Sequence, residues 1–385
     1  MAYKIPFISL ATDAKRSKVD TILGEIRKLF ERGDFILGSK VEEFEHAFAN
    51  YCGVGHAVGV NSGLDAILLS LRVLGVGPGD EVITAPNSYL ATAAAIALTG
   101  ARPVFADVRL DFNLDPAEVE KRITSRTKAV IGVHLTGFPC EMEELSKICR
   151  ARGIALLEDA AQAVGARFYR KKAGALGDIG CFSLHPLKNL HVWGDGGVIT
   201  TNSAEIAKGL REQRNHGLVS RDVSDFFSYN SRLDSVQAIV ALESLLEVDS
   251  VASVRRLNAE VYFDRLAKWV KLPSKGTSEV QPVFHVFQIR TEKRDRLKAF
   301  LESKGIETKI HYPVPIHLQP AANYLGYKAG DFPVCERLAG EILSLPVREG
   351  LSLEDLHEVC DAVDIFFSLS PSLAQLNTLP REQTV

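Results

Sequence analysis

Long apolar runs are absent from this sequence: none approaches the roughly 20 residues that a helix needs to cross a bilayer. The N-terminal stretch Met1–Phe7 also lacks the hydrophobic segment of a signal peptide. Neither sign of charge dominates, because the formal net charge is -3, which gives no electrostatic footprint for nucleic acid or an anionic membrane. We therefore expect a cytoplasmic protein that binds neither nucleic acid nor membrane.

Paired cysteines are absent as well. The chain has 6 cysteines but no Cys-x-x-Cys pair, and no histidine lies at the spacing of a metal site. Reduced, buried thiols in a cytoplasmic protein are the simplest interpretation, and no metal is expected. The cysteines are Cys52, Cys140, Cys149, Cys181, Cys335 and Cys360.

Length and composition indicate a soluble protein with a large core. Hydrophobic residues make up 46% and charged residues 24% of the 385 residues, as in typical globular chains. The length favours two packed domains, or one large domain with a satellite. We predict a large α/β domain over residues 15–250, a smaller α+β domain over 251–367, and a flexible tail over 368–385, which is polar and unpatterned.

Short apolar strands alternate with amphipathic helices in the first half of the chain. This alternation, with strands apolar on both faces, predicts a mostly parallel sheet covered by helices. Strands are predicted at 57–60, 81–84, 103–106, 129–133 and 154–157, with helices at 15–30, 40–51, 64–74, 89–98, 116–122 and 141–151. Beyond Thr200, helices are predicted at 204–214, 233–246, 251–270, 294–304, 335–339 and 353–367, and one strand at 283–289.

The stretch Gly180–Asn189 contains a single lysine, Lys188, which follows an apolar run rich in Phe and Leu. The glycine cluster Gly194–Gly197 then leads into a second apolar run, Val198–Thr201. Lys188 is therefore predicted on a loop between two strands of the sheet. A lone lysine is most often a solvated charge, because lysine is seldom buried, so its role depends on its surroundings.

Three further stretches follow predicted strands, and open α/β sheets bind ligands at the carboxyl ends of their strands. Asn61–Ala66 turns from a strand into a helix, whose N-terminus suits a phosphate, although a plain N-cap is the alternative. Glu158 and Asp159 end another strand, whose geometry sends them to opposite sides. A carboxylate at that depth needs a cation or donor, yet Asp159 could equally cap the next helix. Tyr89 places an aromatic ring at a third strand end.

Together these residues match the requirements of pyridoxal phosphate. Lys188 can hold an aldehyde, and Asp159 can keep a ring nitrogen protonated. Tyr89 offers a face for stacking, and the Ser62-Gly63 turn offers a phosphate site. No Gly-x-Gly-x-x-Gly follows the first strand, which argues against a nicotinamide oxidoreductase.

The chain resembles the DegT/DnrJ/StrS family of pyridoxal-phosphate-dependent sugar aminotransferases. The resemblance covers residues 5–365 and rests on several motifs in order. These are Phe35-Ile-Leu-Gly, Gly77-Pro-Gly-Asp-Glu-Val-Ile, His134-Leu-Thr-Gly, Glu158-Asp-Ala-Ala-Gln, Ser183-x-His-Pro-x-Lys-Asn-Leu, Gly194-Asp-Gly-Gly, Asn215-His-Gly, Tyr229-Asn-x-Arg-Leu and Ile310-His-Tyr-Pro. It implies fold type I: a large domain with a mostly parallel seven-stranded sheet flanked by helices, and a smaller α+β C-terminal domain that residues 1–14 join.

The resemblance also implies how the cofactor is held. Lys188 would bind it covalently as a Schiff base and act as the catalytic base, Asp159 would pair with its ring nitrogen, and Gln162 would contact its ring hydroxyl. Tyr89 would stack on the ring. The phosphate would be held by Gly63, Leu64 and Ser183, and by Asn230 from the partner subunit of a homodimer. At Leu64 the family commonly has Thr, so only a main-chain contact is carried over there.

By the same resemblance the enzyme moves an amino group from an amino acid, expected to be L-glutamate, to a keto-sugar. The cofactor would alternate between pyridoxal and pyridoxamine 5'-phosphate. The expected acceptor is a nucleotide-linked keto-deoxyhexose (dTDP, UDP or GDP), and the Asn189-Leu-x-x-x-Gly-Asp-Gly-Gly run favours a 3-keto sugar. Substrate contacts are predicted at His185, His311, Tyr312 and His317, for which a purely structural role is the alternative.

Two other functions stay open at this point. The acceptor could be an unactivated cyclic ketone, such as a keto-inositol in an aminoglycoside pathway. A protein that binds the cofactor without catalysis and serves as a regulator is the other alternative. The sequence of such a regulator would be expected to lack the lysine or the aspartate, and both Lys188 and Asp159 are present here.

Overall fold

The computed structural model describes residues 3–10 and 16–373. A seven-stranded sheet lies at its centre, with strand order β1-β9-β8-β5-β4-β2-β3. Every neighbouring pair is parallel except that β9 runs antiparallel to both β1 and β8, which confirms the predicted mostly parallel sheet. The strands are β1 His56–Val60, β2 Glu81–Thr84, β3 Arg102–Phe105, β4 Thr127–Val133, β5 Ala155–Asp159, β8 Ile179–Ser183 and β9 Gly197–Thr201.

Helices pack on both faces of this sheet and build the C-terminal part of the chain. In chain order they are α1 Arg16–Arg32, α2 Ser39–Cys52, α3 Gly63–Val73, α4 Leu90–Leu98, α5 Pro116–Arg122, α6 Met142–Arg150, α7 Ala204–Gln213, α8 Ser235–Leu245, α9 Val248–Leu266, α10 Arg294–Ser303, α11 Pro333–Glu341 and α12 Leu353–Leu373. Within the described ranges, no helix combines the length and apolar character needed to span a bilayer.

Both faces of the sheet are apolar, as buried strands require. On β5 the fully covered side chains of Leu156 and Leu157 point to opposite faces and join different clusters of the core. Helices α3, α4 and α7 cover the face of Leu157. On the other face, Phe48 of α2 meets Phe182 of β8 edge to face, with 5.0 Å between ring centroids. All six cysteines are free and buried, as predicted.

The C-terminal part is built around a second, two-stranded sheet. Its antiparallel strands, β13 Phe287–Arg290 and β14 Ile342–Leu345, pack with α9, α10 and α12 around one apolar cluster. The N-terminal segment joins this cluster through Ile5, whose N–H donates to the Gly305 carbonyl (3.0 Å). The exact limits of the two predicted domains remain a prediction.

Some elements differ from the sequence prediction. The strand predicted at 283–289 begins only at Phe287, because residues 283–286 form a loop against the large sheet, where the Val283 N–H donates to the Gly137 carbonyl (3.0 Å). Strand β14 was not predicted. Short strands were also missed: β6 Arg167–Phe168, β7 Lys171–Lys172, β10 Leu218–Ser220, β11 Val223–Ser224 and β12 Val280–Gln281. The tail predicted from residue 368 is helical as far as Leu373, and 374–385 lie outside the described residues.

A buried ion pair ties three elements of the large sheet region together. Arg214, after α7, donates to the Glu45 carboxylate of α2 and to the Gly59 carbonyl of β1 (2.7 Å to the carbonyl). The Gly59 N–H donates back to Glu45 (2.9 Å). Both charged side chains are nearly inaccessible to solvent. Removing one partner of such a pair leaves a buried charge uncompensated.

We therefore expect Arg214→Met to lower the free energy of unfolding by about 3–5 kcal/mol, the usual range for a broken buried pair. Urea and thermal unfolding, followed by circular dichroism, measure this change. Breaking the exposed Glu143–Lys147 pair by Lys147→Met is the control and should leave both transitions in place. Equal transitions for Arg214→Met and the unmodified protein would contradict the prediction.

Candidate active site

A cavity of about 450 Å³ opens at the carboxyl ends of the central strands. It is enclosed by the start of α3, the residues before and in α4, the end of β5, the loop between β8 and β9, and segments of the C-terminal part. The residues predicted from sequence that line it are Gly63, Leu64, Tyr89, Asp159, Gln162, Ser183, His185, Lys188, His311 and Tyr312. The sheet topology thus brings together residues that lie far apart in the chain.

Lys188 stands on the loop between β8 and β9, where a turn is closed by its own N–H donating to the His185 carbonyl (2.9 Å). Its side chain is half-buried and lines the cavity. Burial lowers the pKa of the Lys188 ammonium to about 8, against the opposing charge of Asp159, which raises it. An amine with this pKa is partly uncharged near neutral pH, as a nucleophile or general base requires.

Asp159 ends β5 and is held by donors on both oxygens. The Ala161 N–H donates to Oδ1 (3.2 Å) and the Thr92 hydroxyl donates to Oδ2 (2.7 Å). Ser88 lies within 2.8 Å of the Thr92 hydroxyl. The carboxylate therefore has a fixed orientation inside the cavity wall. Neither Thr92 nor Ser88 was singled out from the sequence.

Glu158 points to the opposite side of β5, as strand geometry predicts. It is completely buried and accepts N–H bonds of 2.8 Å from Gly174, Leu176 and Gly177. His134 completes the set at 2.9 Å. Because the Cys140 N–H donates to Nδ1 of His134 (3.0 Å), the ring carries its proton on Nε2 and donates to Glu158.

The start of α3 forms a tight turn against β8 and β9. The Ser62 hydroxyl accepts the Asp65 N–H (3.1 Å) and caps the helix, so the cap that the sequence left as an alternative is present beside the cavity. A Cβ at Gly63 would lie 2.7 Å from the Ser183 Cβ. Only glycine allows this approach, which leaves the Ser183 hydroxyl and the helix N-terminus side by side as a cradle suited to an anion.

Gln162 and two tyrosines form another wall. The Thr136 N–H donates to the Gln162 side-chain carbonyl (2.7 Å), and the Gln162 amide donates to the Tyr312 hydroxyl (3.3 Å). Burial raises the pKa of Tyr312, which keeps its phenol protonated. The Tyr89 ring lies 5.7 Å from that of Tyr312 and is more than half exposed at the mouth of the cavity.

Two histidines in the wall are kept uncharged. Burial lowers the pKa of His311 to about 4, and burial with the nearby Lys188 charge holds the pKa of His285 well below its ordinary value. The Asn189 amide donates to the Val283 carbonyl (3.3 Å), so its oxygen accepts from Nδ1 of His285 (3.2 Å). Nε2 of His285 is then an acceptor. The sequence interpretation missed His285 because it assigned the residue to a strand.

Two of the predicted site residues lie elsewhere. His317 is buried, bonded to the Glu336 carboxylate (3.0 Å) and packed on Phe332. It does not line the cavity of the described structure, and its contacts are those of a core histidine. Asn230 lies on an exposed segment before α8, where it forms a bridge with Asn215, also away from the cavity of its own chain.

A sheet of this order with antiparallel β9, and a loop lysine facing a strand-end aspartate, define a fold-type I transferase of the aminotransferase class. The chain belongs to the DegT/DnrJ/EryC1/StrS aminotransferase family, whose model matches residues 17–364. The resemblance noted in the sequence is thereby confirmed, as is the expected enzyme class.

Similar proteins cover nearly the whole chain. It is 41% identical over 365 residues to dTDP-3-amino-3,4,6-trideoxy-alpha-D-glucose transaminase of Streptomyces venezuelae, with 94% of this chain and 95% of that protein covered. It is 40% identical over 367 residues to a protein of Geobacillus stearothermophilus named pleiotropic regulatory protein, with 94% and 98% covered. The crystal structure of S. venezuelae DesV in complex with a ketimine intermediate matches with a TM-score of 0.91 and 40% identity, over 95% of this chain and 99% of that one.

The lowered pKa of Lys188 predicts unusual reactivity in the cofactor-free protein. Reductive methylation at Lys188 should rise through pH about 8, whereas ordinary solvated lysines, with pKa values of about 10.4, should react only at higher pH. Peptide mass spectrometry after labelling at a series of pH values measures both. Asp159→Asn should move the Lys188 midpoint to still lower pH, because it removes the charge that raises the pKa. A Lys188 profile that coincides with those of the surface lysines would contradict the prediction.

Proposed function

We propose that this protein is a pyridoxal-phosphate-dependent aminotransferase that transfers the amino group of L-glutamate to a nucleotide-linked 3-keto sugar. The observation that carries the proposal is the placement of Lys188 and Asp159 in one cavity, beside the helix start at Gly63. A Schiff-base lysine, a partner for a ring nitrogen and an anion cradle are the groups that this cofactor needs.

The residues of the cavity fit the cofactor. Asp159 already carries a donor on each oxygen and still has acceptor capacity for a ring N–H. Gly63 and Ser183 would hold the phosphate with the main chain of Leu64, which needs no side-chain hydroxyl. Gln162 would contact the ring hydroxyl, and Tyr89 would cover the ring.

Bound pyridoxal phosphate supplies an electron sink for the carbanion formed at the α-carbon of the amino donor. The protein's own part is proton transfer and positioning. The Lys188 amine, with its pKa near 8, takes a proton at Nζ and returns it at the next step. Asp159 would accept a hydrogen bond from the protonated ring nitrogen, and its negative charge would favour the positive charge there. The neutral rings of His311 and His285 add no positive charge beside that lysine.

The substrate assignment is supported by the relatives. The Streptomyces venezuelae relative is named for a dTDP-linked 3-amino sugar, in line with the Gly194-Asp195-Gly196-Gly197 run that favours a 3-keto acceptor. The Geobacillus stearothermophilus relative carries a regulatory name. Retention of Lys188 and Asp159 in one cavity favours catalysis over a purely regulatory role, and nothing in the cavity favours an unactivated cyclic ketone. His185, His311 and Tyr312 would contact the sugar.

The proposed reaction can be tested with a panel of acceptors. Purified protein loaded with pyridoxal phosphate should aminate a dTDP-linked 3-keto-deoxyhexose, with glutamate as donor, faster than 4-keto sugars or an inosose. Lys188→Ala should lower turnover by about 10²–10⁴-fold or more, the scale of a lost general base. Lys128→Ala, at an exposed lysine outside the cavity, is the matched control and should retain activity. Equal turnover by Lys188→Ala and Lys128→Ala would contradict the assignment.

We also propose a homodimer in which Asn230 reaches the cofactor phosphate of the partner subunit. Asn230 lies outside its own cavity and follows a strongly exposed apolar segment that includes Phe226, Phe227 and Tyr229. Phe227 is completely exposed, at 106%. Exposed apolar surface of this kind marks an interface, and a second copy of the chain would cover it.

Mixing two inactive variants tests whether Asn230 acts across the dimer. Asn230→Asp places a negative charge near the phosphate and should weaken cofactor binding. When its dimers are dissociated and reassociated with Lys188→Ala, each mixed dimer should regain one intact site, with Lys188 from one chain and Asn230 from the other. Partial recovery of activity, with mixed dimers identified by mass, is the expected outcome. Should activity fail to recover although mixed dimers form, Asn230 does not act in trans.

A further inference from the structure

The hydroxyls of Thr92 and Ser88 form a hydrogen-bonded chain that ends on Asp159. Oγ1 of Thr92 donates to Oδ2 of Asp159 at 2.7 Å, and Oγ of Ser88 lies 2.8 Å from Oγ1 of Thr92. A hydroxyl has a single proton, which Thr92 gives to the carboxylate, so Ser88 must donate to Thr92. The donor and the acceptor of both hydrogen bonds are thereby determined.

From this geometry we propose that Thr92, supported by Ser88, is a positioning residue that aims the Asp159 carboxylate at the ring nitrogen of the cofactor. The inference rests on the proposed function, because it assigns a role toward bound pyridoxal phosphate. Thr92 acts through Asp159 and does not replace any of the cofactor contacts expected from the sequence.

Burial strengthens the hydrogen bonds that link Ser88, Thr92 and Asp159. Exposed fractions are 0% for Thr92, 5% for Ser88 and 7% for Asp159, so water competes little for these bonds, and a bond to a charged group in such surroundings is among the stronger hydrogen bonds. All three residues line the cavity.

The two donors to Asp159 also leave acceptor positions on its carboxylate available for a ring N–H of the cofactor. An ionised carboxylate has about four acceptor positions on its two oxygens. The Ala161 N–H occupies one on Oδ1, and the Thr92 hydroxyl occupies one on Oδ2. Rotation of the carboxylate about its χ2 bond would break both contacts. The remaining lone pairs are therefore held in one orientation, which a ring N–H requires.

The start of α4 brings both hydroxyls to the end of β5. Ser88 lies in the bend before the helix, one residue ahead of the extended N-cap residue Tyr89, and Thr92 lies in the first turn of the helix. The Thr92 hydroxyl there contacts both Ser88 and Asp159. A purely structural tether between α4 and β5 would show the same bonds, and the test must therefore read the state of the cofactor.

The measurement is a pH titration of the visible absorbance of the cofactor-loaded protein. A protonated ring nitrogen withdraws electrons from the covalent Lys188–cofactor linkage and lowers the pKa of the linkage nitrogen. A poorly aimed Asp159 would leave the ring nitrogen less protonated, so the midpoint of the absorbance titration should move to higher pH. For Thr92→Val, which removes the hydroxyl at nearly constant shape, we expect a shift of roughly one pH unit, the scale of one lost hydrogen bond to a charged group. Turnover should fall about tenfold, with little change in the KM for glutamate.

Two variants complete the series and one serves as its control. Thr92→Ser keeps the hydroxyl and should titrate like the unmodified protein. Ser88→Ala removes only the second link and should give a smaller shift in the same direction; it carries the test if Thr92→Val does not fold. Thr99→Val makes the same change beyond the other end of α4, where the hydroxyl donates to the Ile96 carbonyl (2.7 Å), and should not move the midpoint.

The outcomes separate the inference from the proposed function. A Thr92→Val midpoint equal to that of the unmodified protein overturns the positioning role while the aminotransferase assignment stands. Equal shifts in Thr92→Val and Thr92→Ser also overturn it, because Thr92→Ser keeps the hydroxyl and its shift could not come from the loss of that group. If the unmodified protein gives no visible band with pyridoxal phosphate, the proposed function fails first, and this inference fails with it.

Discussion

The structure depends on the burial of two adjacent carboxylates at the end of β5. Burying ionised groups is costly unless each lone pair finds a donor. Glu158 satisfies this by accepting three backbone N–H bonds and one from His134, which fixes the loop after β7 and the end of β4 against the strand. Asp159, on the other face, keeps part of its acceptor capacity toward the cavity. One strand end thus supplies both the rigidity and the chemistry of the site.

That division of roles explains the electrostatics around Lys188. Burial favours its uncharged amine, and the negative charge of Asp159 opposes this. His285 and His311 in the wall are neutral because burial, together with the nearby Lys188 charge, lowers their pKa values. The cavity therefore combines a reactive amine with the oriented carboxylate of Asp159, an arrangement that suits a cationic ring nitrogen.

Much of the fold could be predicted from the sequence because it depends on local periodicity. The strands of the large sheet and the helices that cover it are strongly patterned, so their approximate positions and the mostly parallel arrangement followed from the sequence. The antiparallel β9 and the pairing of β13 with β14 depend on contacts between distant residues, for which periodicity carries no signal. The same holds for residues 283–286, whose apolar side chains resemble a strand although they form a loop against the large sheet.

At the site, the residues that could be predicted were those whose chemistry is unusual for their place in the chain. A lysine after an apolar strand and acids at a strand end stand out, and the family motifs connect them. Thr92 and His285 do not stand out, because a threonine in a helix and a histidine in an apolar run are ordinary until the fold gives them partners. His317 shows the converse: a histidine in a Pro-rich segment looks available, yet its ring is paired with Glu336 in the core. Side chains that act on other side chains become visible only when the distances between them are known.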